Sequence, residues 1–283
     1  MDDAKRRIHE PLGLPGSGRV RYGAAMALYQ AGLISAEVLE VYRVAAAHDG
    51  RDPVQILRDL GLTLPPRKAM ETPMKALYTA ARDYLLTLDH PGAAEVRAGL
   101  PANPGPEQAR PARRNAVVDQ WLAPALQAMD SSHHSLARTI GDAADRLEWI
   151  TYDRYPDADI GPHFPNGHAY AMIYGGGAPF PAQDFDLDLF LIAPHTLYRD
   201  HHHAAPELYA PLTGPHGWRF GAGRPLVVKP AHQPVWNPAH QPHLTKTGAV
   251  PFLALVVWTR DVNEVARVIP ADDWAELEAT KIA

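Results

Sequence analysis

The chain has 283 residues, enough to bury a sizeable core as one large domain or two small ones. Its 27 basic and 32 acidic side chains leave it mildly acidic with no long basic stretch, which argues against nucleic acid as a partner. There is no cysteine, which excludes disulfides, thiolate metal sites and Cys nucleophiles, and no apolar run suits a signal peptide or a bilayer span, so a cytoplasmic protein without a membrane partner is expected.

The first hundred residues read as helices. Apolar residues recur at helical spacing over 20–31, ended by Gly32, and over 36–47, where Ser35 offers an N-cap and Asp49-Gly50 a stop. Residues 53–60 form a third predicted helix with Asp52 as cap and Pro53 in its first turn, and 70–88, rich in Ala, Leu, Met and Tyr, a fourth. No titratable groups cluster here, so the region is expected to be a scaffold or a partner-binding bundle. Pro101, Pro104, Pro106 and Pro111 mark a linker, with a domain boundary near residue 105 that separates a helical extension, 1–105, from 106–283. Two further helices, 115–129 and 132–147, follow it, the second capped by Ser131 or Ser132.

Beyond residue 153 the period changes. Strand candidates at 170–174, 185–193, 207–212, 217–221, 225–229, 235–236, 243–246 and 252–258 are separated by Gly and Pro turns, and together they argue for a sandwich or small barrel. The run from Asp184 to Phe190 alternates strictly, with Asp184, Asp186 and Asp188 read as the solvated face of a half-buried strand. Gly175 to Gly177 reads as a hairpin turn, and Trp258, on a continuous apolar strand, as core. Only 271–282 returns to helix, making the fold class α+β with the helices first.

Within the β region His195, His201, His202, His203, His216, His232, His240 and His243 all fall in one short segment, and that segment carries the chemistry. In an extended chain residues two apart face the same way, so His201 and His203 share a face and His202 points to the other. Glu207 a short turn later and a histidine from a distant strand complete a mixed nitrogen and oxygen site for a divalent transition metal. The same residues could instead be satisfied polar groups inside a barrel, but three histidines and a carboxylate are an expensive interior without a metal. His243 is the expected fourth ligand, with His240, three residues earlier, as its alternative. His195, His216 and His232 are read as loop histidines.

The spacing His201-x-His203-x3-Glu207-x6-Gly214, followed by Pro238-x-His240-x-x-His243, resembles the two motifs of the cupin superfamily, which implies a jelly-roll β-barrel around a metal. Three departures stand out: His195 and His240 occupy places where cupins usually have glycine, and Thr247 stands where the second motif often has Asn. A narrower resemblance covers about 107–260. His168-Ala-Tyr170, Pro179 to Phe185, the strand to Pro194, Tyr198, His201 to Tyr209, Trp218, His243 to Thr247 and Leu253 to Trp258 are similar to the dimethylsulfoniopropionate (DMSP) lyase family of cupins. The first hundred residues lie outside this likeness.

That resemblance implies a metal-dependent carbon–sulfur lyase. A base removes the proton beside the substrate carboxylate, and dimethyl sulfide leaves with acrylate as the other product. It also implies His201, His203, Glu207 and His243 as ligands to Fe, Mn, Zn, Co or Ni, with Tyr209 first and Tyr198 second as base. A phenol of pKa about 10 needs a nearby cation to serve at neutral pH. The expected partner is a small-molecule carboxylate, a sulfonium if the resemblance holds, whose cation would meet Tyr170, Phe190, Trp218, Trp236 or Trp258. A homodimer is compatible with the reading. The alternatives are a cupin oxygenase or isomerase with the same ligands, or a non-catalytic metal or small-ligand sensor with a helical partner-binding region.

Overall fold

The computed structural model describes residues 1–67, 71–129, 133–153, 155 and 160–282. The chain divides into two compact units, Met1–Glu71 and Thr72–Ala283. The first holds four helices, α1 (Asp2–Arg7), α2 (Ser17–Gln30), α3 (Ala36–Ala45) and α4 (Pro53–Asp59). Ser35 and Asp52 cap α3 and α4 as their sequence implied, accepting the backbone N–H of Val38 and Val54. Ile8, Leu28, Val38, Tyr42 and Leu57 form a core of their own.

The second unit opens with α5 (Pro73–Leu85), α6 (Ala93–Gly99), α7 (Ala116–Ala128) and α8 (His134–Ala143). The expected boundary near residue 105 therefore differs from the observed division at residue 71. The physical reason lies in the apolar faces of α5 and α6: Met74, Leu77, Ala81, Leu85 and Val96 are buried in the same core as sheet residues such as Leu189 and Leu255. Nor is the Pro-rich segment a free tether. The Tyr78 hydroxyl donates to the Pro101 carbonyl at 2.7 Å, Gln108 N donates to the Pro179 carbonyl at 2.8 Å, and Arg110 Nε to that of Ala178 at 3.2 Å. Thr72 and Asn115 cap α5 and α7. The predicted start of the fourth helix at Met70 and the predicted caps Ser131 and Ser132 lie outside the described residues.

The strands are β1 (His168–Gly175), β2 (Phe180–Pro181), β3 (Asp186–Ile192), β4 (Leu197–His202), β5 (Glu207–Pro211), β6 (His216–Arg219), β7 (Val227–Lys229), β8 (Val235–Asn237), β9 (His243–Lys246), β10 (Phe252–Trp258) and β11 (Arg267–Val268). They form a six-stranded sheet, β2-β1-β3-β10-β5-β8, and a five-stranded sheet, β11-β4-β9-β6-β7. Apart from the short parallel pair of β1 and β2, every ladder is antiparallel. The expected barrel is thus a jelly-roll sandwich: among the described residues no ladder joins the two sheets.

The six-stranded sheet is buried on both faces. Leu187, Leu189 and Leu191 of β3, with Leu253, Leu255 and Val257 of β10, pack in the helical core, while Phe190, Ile192, Phe252 and Ala254 face inward toward Trp218 of the other sheet. This division corrects one expectation. With helices already covering the leucine face, Asp186 and Asp188 are turned into the sandwich instead of toward solvent.

Two interior histidines tie loops to this frame. His168 Nδ1 donates to the Phe164 carbonyl at 2.6 Å and its Nε2 accepts Tyr152 N at 3.0 Å; His216 Nδ1 accepts Gly248 N at 3.1 Å. Burial pushes both down from 6.5 to about 4. Between those values the unfolded chain binds more protons than the fold, so the stability that is whole above about 6.5 is lost as pH falls toward about 4. Thermal melting over this range should show a steep acid decline that is shallower in a His168→Gln variant. Equal slopes would mean that His168 is not held neutral.

Candidate metal centre

His201 in β4 and His243 in β9 are cross-strand partners, His203 follows directly after β4, and Glu207 opens β5 on the facing sheet. The four therefore meet between the sheets, each buried to 4 % exposure or less. His202 points away, toward His240, as strand parity requires. His243 reaches the centre, whereas His240 is exposed and sits in a turn.

The backbone fixes the state of each imidazole. Nδ1 of His201, His203 and His243 faces the carbonyl of Arg199, Ala205 and Gln241 at 2.7, 2.8 and 2.8 Å. A carbonyl only accepts, so each Nδ1 carries the hydrogen and each Nε2 presents a lone pair inward. Ligand atoms of the three histidines lie within 4.8 Å of one another. Glu207 Oε2 is 3.3 Å from His203 Nε2 and 3.2 Å from His243 Nε2, yet among the described residues neither nitrogen has a hydrogen-bond partner. These are contacts between acceptors, costly when buried unless a cation sits among them. Three neutral imidazoles and one carboxylate suit a divalent transition metal.

Glu207 is held from both sides: Asn237 Nδ2 donates to Oε2 at 3.1 Å and Trp258 Nε1 to Oε1 at 2.8 Å. Its carboxylate is buried directly beside the imidazoles of His203 and His243. Trp258, expected as core, thus belongs to the site, and its ring also lies 4.4 Å from that of His203. Register explains the grouping, because Glu207 pairs with Trp258 on one side and Asn237 on the other.

The motif departures have a structural reading as well. His195 and His240, standing in the glycine places, adopt φ of 58° and 60°, the left-handed region that glycine enters freely and that costs other residues about 1 kcal/mol. Gly214 is retained where a Cβ would fall 2.4 Å from Ala231 N. Thr247 Oγ1 accepts Thr196 N and donates to the Ala193 carbonyl, each at 2.8 Å.

A cavity of about 360 Å³ reaches the centre at Glu207, the one of its four residues in the cavity lining. Tyr209 and Tyr198 both line it. The Tyr209 ring packs on Trp218 and Phe252, and burial followed by the neighbouring Glu207 carboxylate pushes its phenol well above 10. Tyr198 stacks between Phe164 and His201, both at 4.0 Å, and its hydroxyl shares a 2.8 Å hydrogen bond with that of Tyr155. Burial, then Tyr155 and Tyr209, raises its phenol too. Of the aromatic candidates for a cation, Tyr170, Phe190 and Trp258 line the cavity, whereas Trp218 is buried behind Tyr209 and Trp236 packs on His90. Tyr152, Tyr155 and Phe164 join the lining from an irregular segment in which sequence periodicity offers no signal.

The family model described as dimethylsulfoniopropionate lyase matches residues 93–254. The chain belongs to this family. The match lies wholly within the second unit and contains both histidine motifs. A curated relative, dimethylsulfoniopropionate lyase DddQ of Ruegeria pomeroyi, is 30% identical over 109 residues, which are 38% of this chain and 54% of the relative. That match therefore spans about half the relative's length. Among solved structures, one described with the DMSP lyases RdDddP and RnDddQII aligns with a TM-score of 0.58 at 24% identity, over 70% of this chain and 98% of that one. At this identity the likeness shows the fold. DddQ of Ruegeria pomeroyi DSS-3 aligns with a TM-score of 0.47 at 22% identity, over 66% of this chain and 95% of that one. The helices followed by two antiparallel sheets are the fold shared with the RdDddP and RnDddQII structure. Among the described residues no helix is long and apolar enough to cross a membrane.

Proposed function

We propose that the chain is a metal-dependent DMSP lyase in which His201, His203, Glu207 and His243 hold the metal and Tyr209 is the base. The observation that carries this is the triad of imidazoles whose Nδ1 hydrogens are tied to backbone carbonyls, leaving their Nε2 lone pairs inward beside Glu207. When bound, a divalent metal supplies Lewis acidity at the substrate carboxylate and positive charge beside Tyr209.

The remaining work falls to the chain's own residues. Tyr209, having given up its own proton to solvent beside the bound metal, acts as phenolate and takes the proton from the carbon next to the carboxylate, and that electron pair forms the new C=C bond as the C–S bond breaks. Dimethyl sulfide departs with the sulfur's bonding pair, and acrylate remains. Asn237 and Trp258 orient Glu207, while Phe164 and His201 hold the Tyr198 ring at the cavity wall. Tyr198, bonded to Tyr155, serves to position substrate.

The direct test is headspace detection of dimethyl sulfide from protein loaded with each candidate metal and given DMSP. Metal-dependent release with equimolar acrylate is expected. A loaded protein that releases neither product would overturn the assignment.

A further inference from the structure

Asp188 is placed where a structural role gives it no reason to be. It lies mid-strand in β3, between Met172 of β1 and Val256 of β10, and faces the cavity. Its Oδ1 is fully buried and, among the described residues, has no hydrogen-bond partner. An unpartnered buried carboxylate oxygen is costly to the fold, and a hydrophobic residue at this point of an apolar strand would be the stable choice. Asp186, two residues earlier on the same face, also lines the cavity. So do Glu207 and Glu264, and no Lys or Arg stands among the described lining residues. The cavity wall is therefore acidic and aromatic together.

Register fixes where this acidity lies relative to the centre. Asp188 shares a rung with Val256 and Tyr209, and Asp186 shares the next with Trp258 and Glu207. Adjacent strands lie about 4.8 Å apart, so Asp186 is two strands, about 10 Å at the backbone, from Glu207, and Asp188 is as far from Tyr209. Side chains reaching inward from both ends leave room for a short molecule with its carboxylate at the Glu207 end of the cavity and a positive group at the aspartates.

We infer that Asp188, supported by Asp186, forms the onium-binding end of the cavity and selects substrates that carry a compact alkylated cation one short carbon chain from a carboxylate. The inference rests on the lyase reading for the carboxylate's place at the histidine centre. Tyr170, Phe190 and Trp258 provide faces for the cation's alkyl groups, and Asp188 provides the charge that a neutral ligand of the same shape cannot use. Burial, then Asp186 and Glu207, pushes Asp188 well above the usual carboxylate range, as befits an acid waiting for a cation.

Binding separates this from the chemistry. Calorimetry on the metal-loaded full chain compares 3-(trimethylammonio)propionate, whose amine is a poor leaving group, with 4,4-dimethylpentanoate, its neutral isostere. The wild type should bind the onium form at least about tenfold more tightly, and Asp188→Asn should lose that preference while its affinity for the neutral acid stays the same. Equal binding of the two by the wild type, or a preference that survives in D188N, would overturn the inference. Replacing a buried carboxyl whose Oδ1 has no partner should leave melting unchanged or raised; if D188N fails to fold, D186N is expected to show the same loss and a retained preference there overturns it. A wild type that prefers the onium acid but releases no dimethyl sulfide keeps the subsite and sinks the lyase reading.

Discussion

Replacing Tyr209 with Phe should leave fold and metal content intact while lowering turnover of DMSP by about 10²–10⁴, the usual contribution of a positioned base. The change removes one oxygen from a ring that keeps its contacts with Trp218, Phe252 and Phe190, so packing is conserved. The loss should fall mainly on kcat, since a group that acts in the transition state contributes little to substrate affinity. Tyr198→Phe gives the contrast. Its hydroxyl is already engaged with that of Tyr155, and its ring is fixed by Phe164 and His201, so its loss should raise KM more than it lowers kcat. A Tyr209→Phe enzyme with unimpaired kcat would remove Tyr209 as base, and a large kcat loss in Tyr198→Phe alone would transfer the role.

The parity that separates His202 from His201 and His203 is a property of any extended chain and was readable without a structure. The same rule could not orient β3. Alternation places Leu187, Leu189 and Leu191 on one face and Asp186 and Asp188 on the other, but which face meets water depends on what covers the sheet. Here α5 and α7 take the leucine face, so the acidic face turns inward. Asn237 and Trp258 were hidden for another reason: each becomes a partner of Glu207 through register, and register is set by pairing across strands far apart in the chain. Tyr152, Tyr155 and Phe164 lie where no period exists to be read. The boundary near residue 105 rested on proline content, which marks an irregular backbone and says nothing of whether that backbone is anchored, as Gln108 and Arg110 anchor it here.

His243→Ala should abolish stoichiometric metal binding, weakening it by at least about a hundredfold, since even residues that only support a ligand are worth ten- to a hundredfold. The centre joins two strands of one sheet to one of the other, and His243 is the cross-strand partner of His201, so its removal opens one side of the ligand set. Elemental analysis after metal loading and desalting reads the outcome directly. His240→Ala is the matched control: that residue is exposed and contributes its backbone N–H to the His203 carbonyl, so metal content should be unchanged. Retained metal in H243A with loss in H240A would exchange the two assignments. Retention in both would mean that the convergent lone pairs of His201 and His203 suffice with Glu207, and that His243 is in the interior for packing alone.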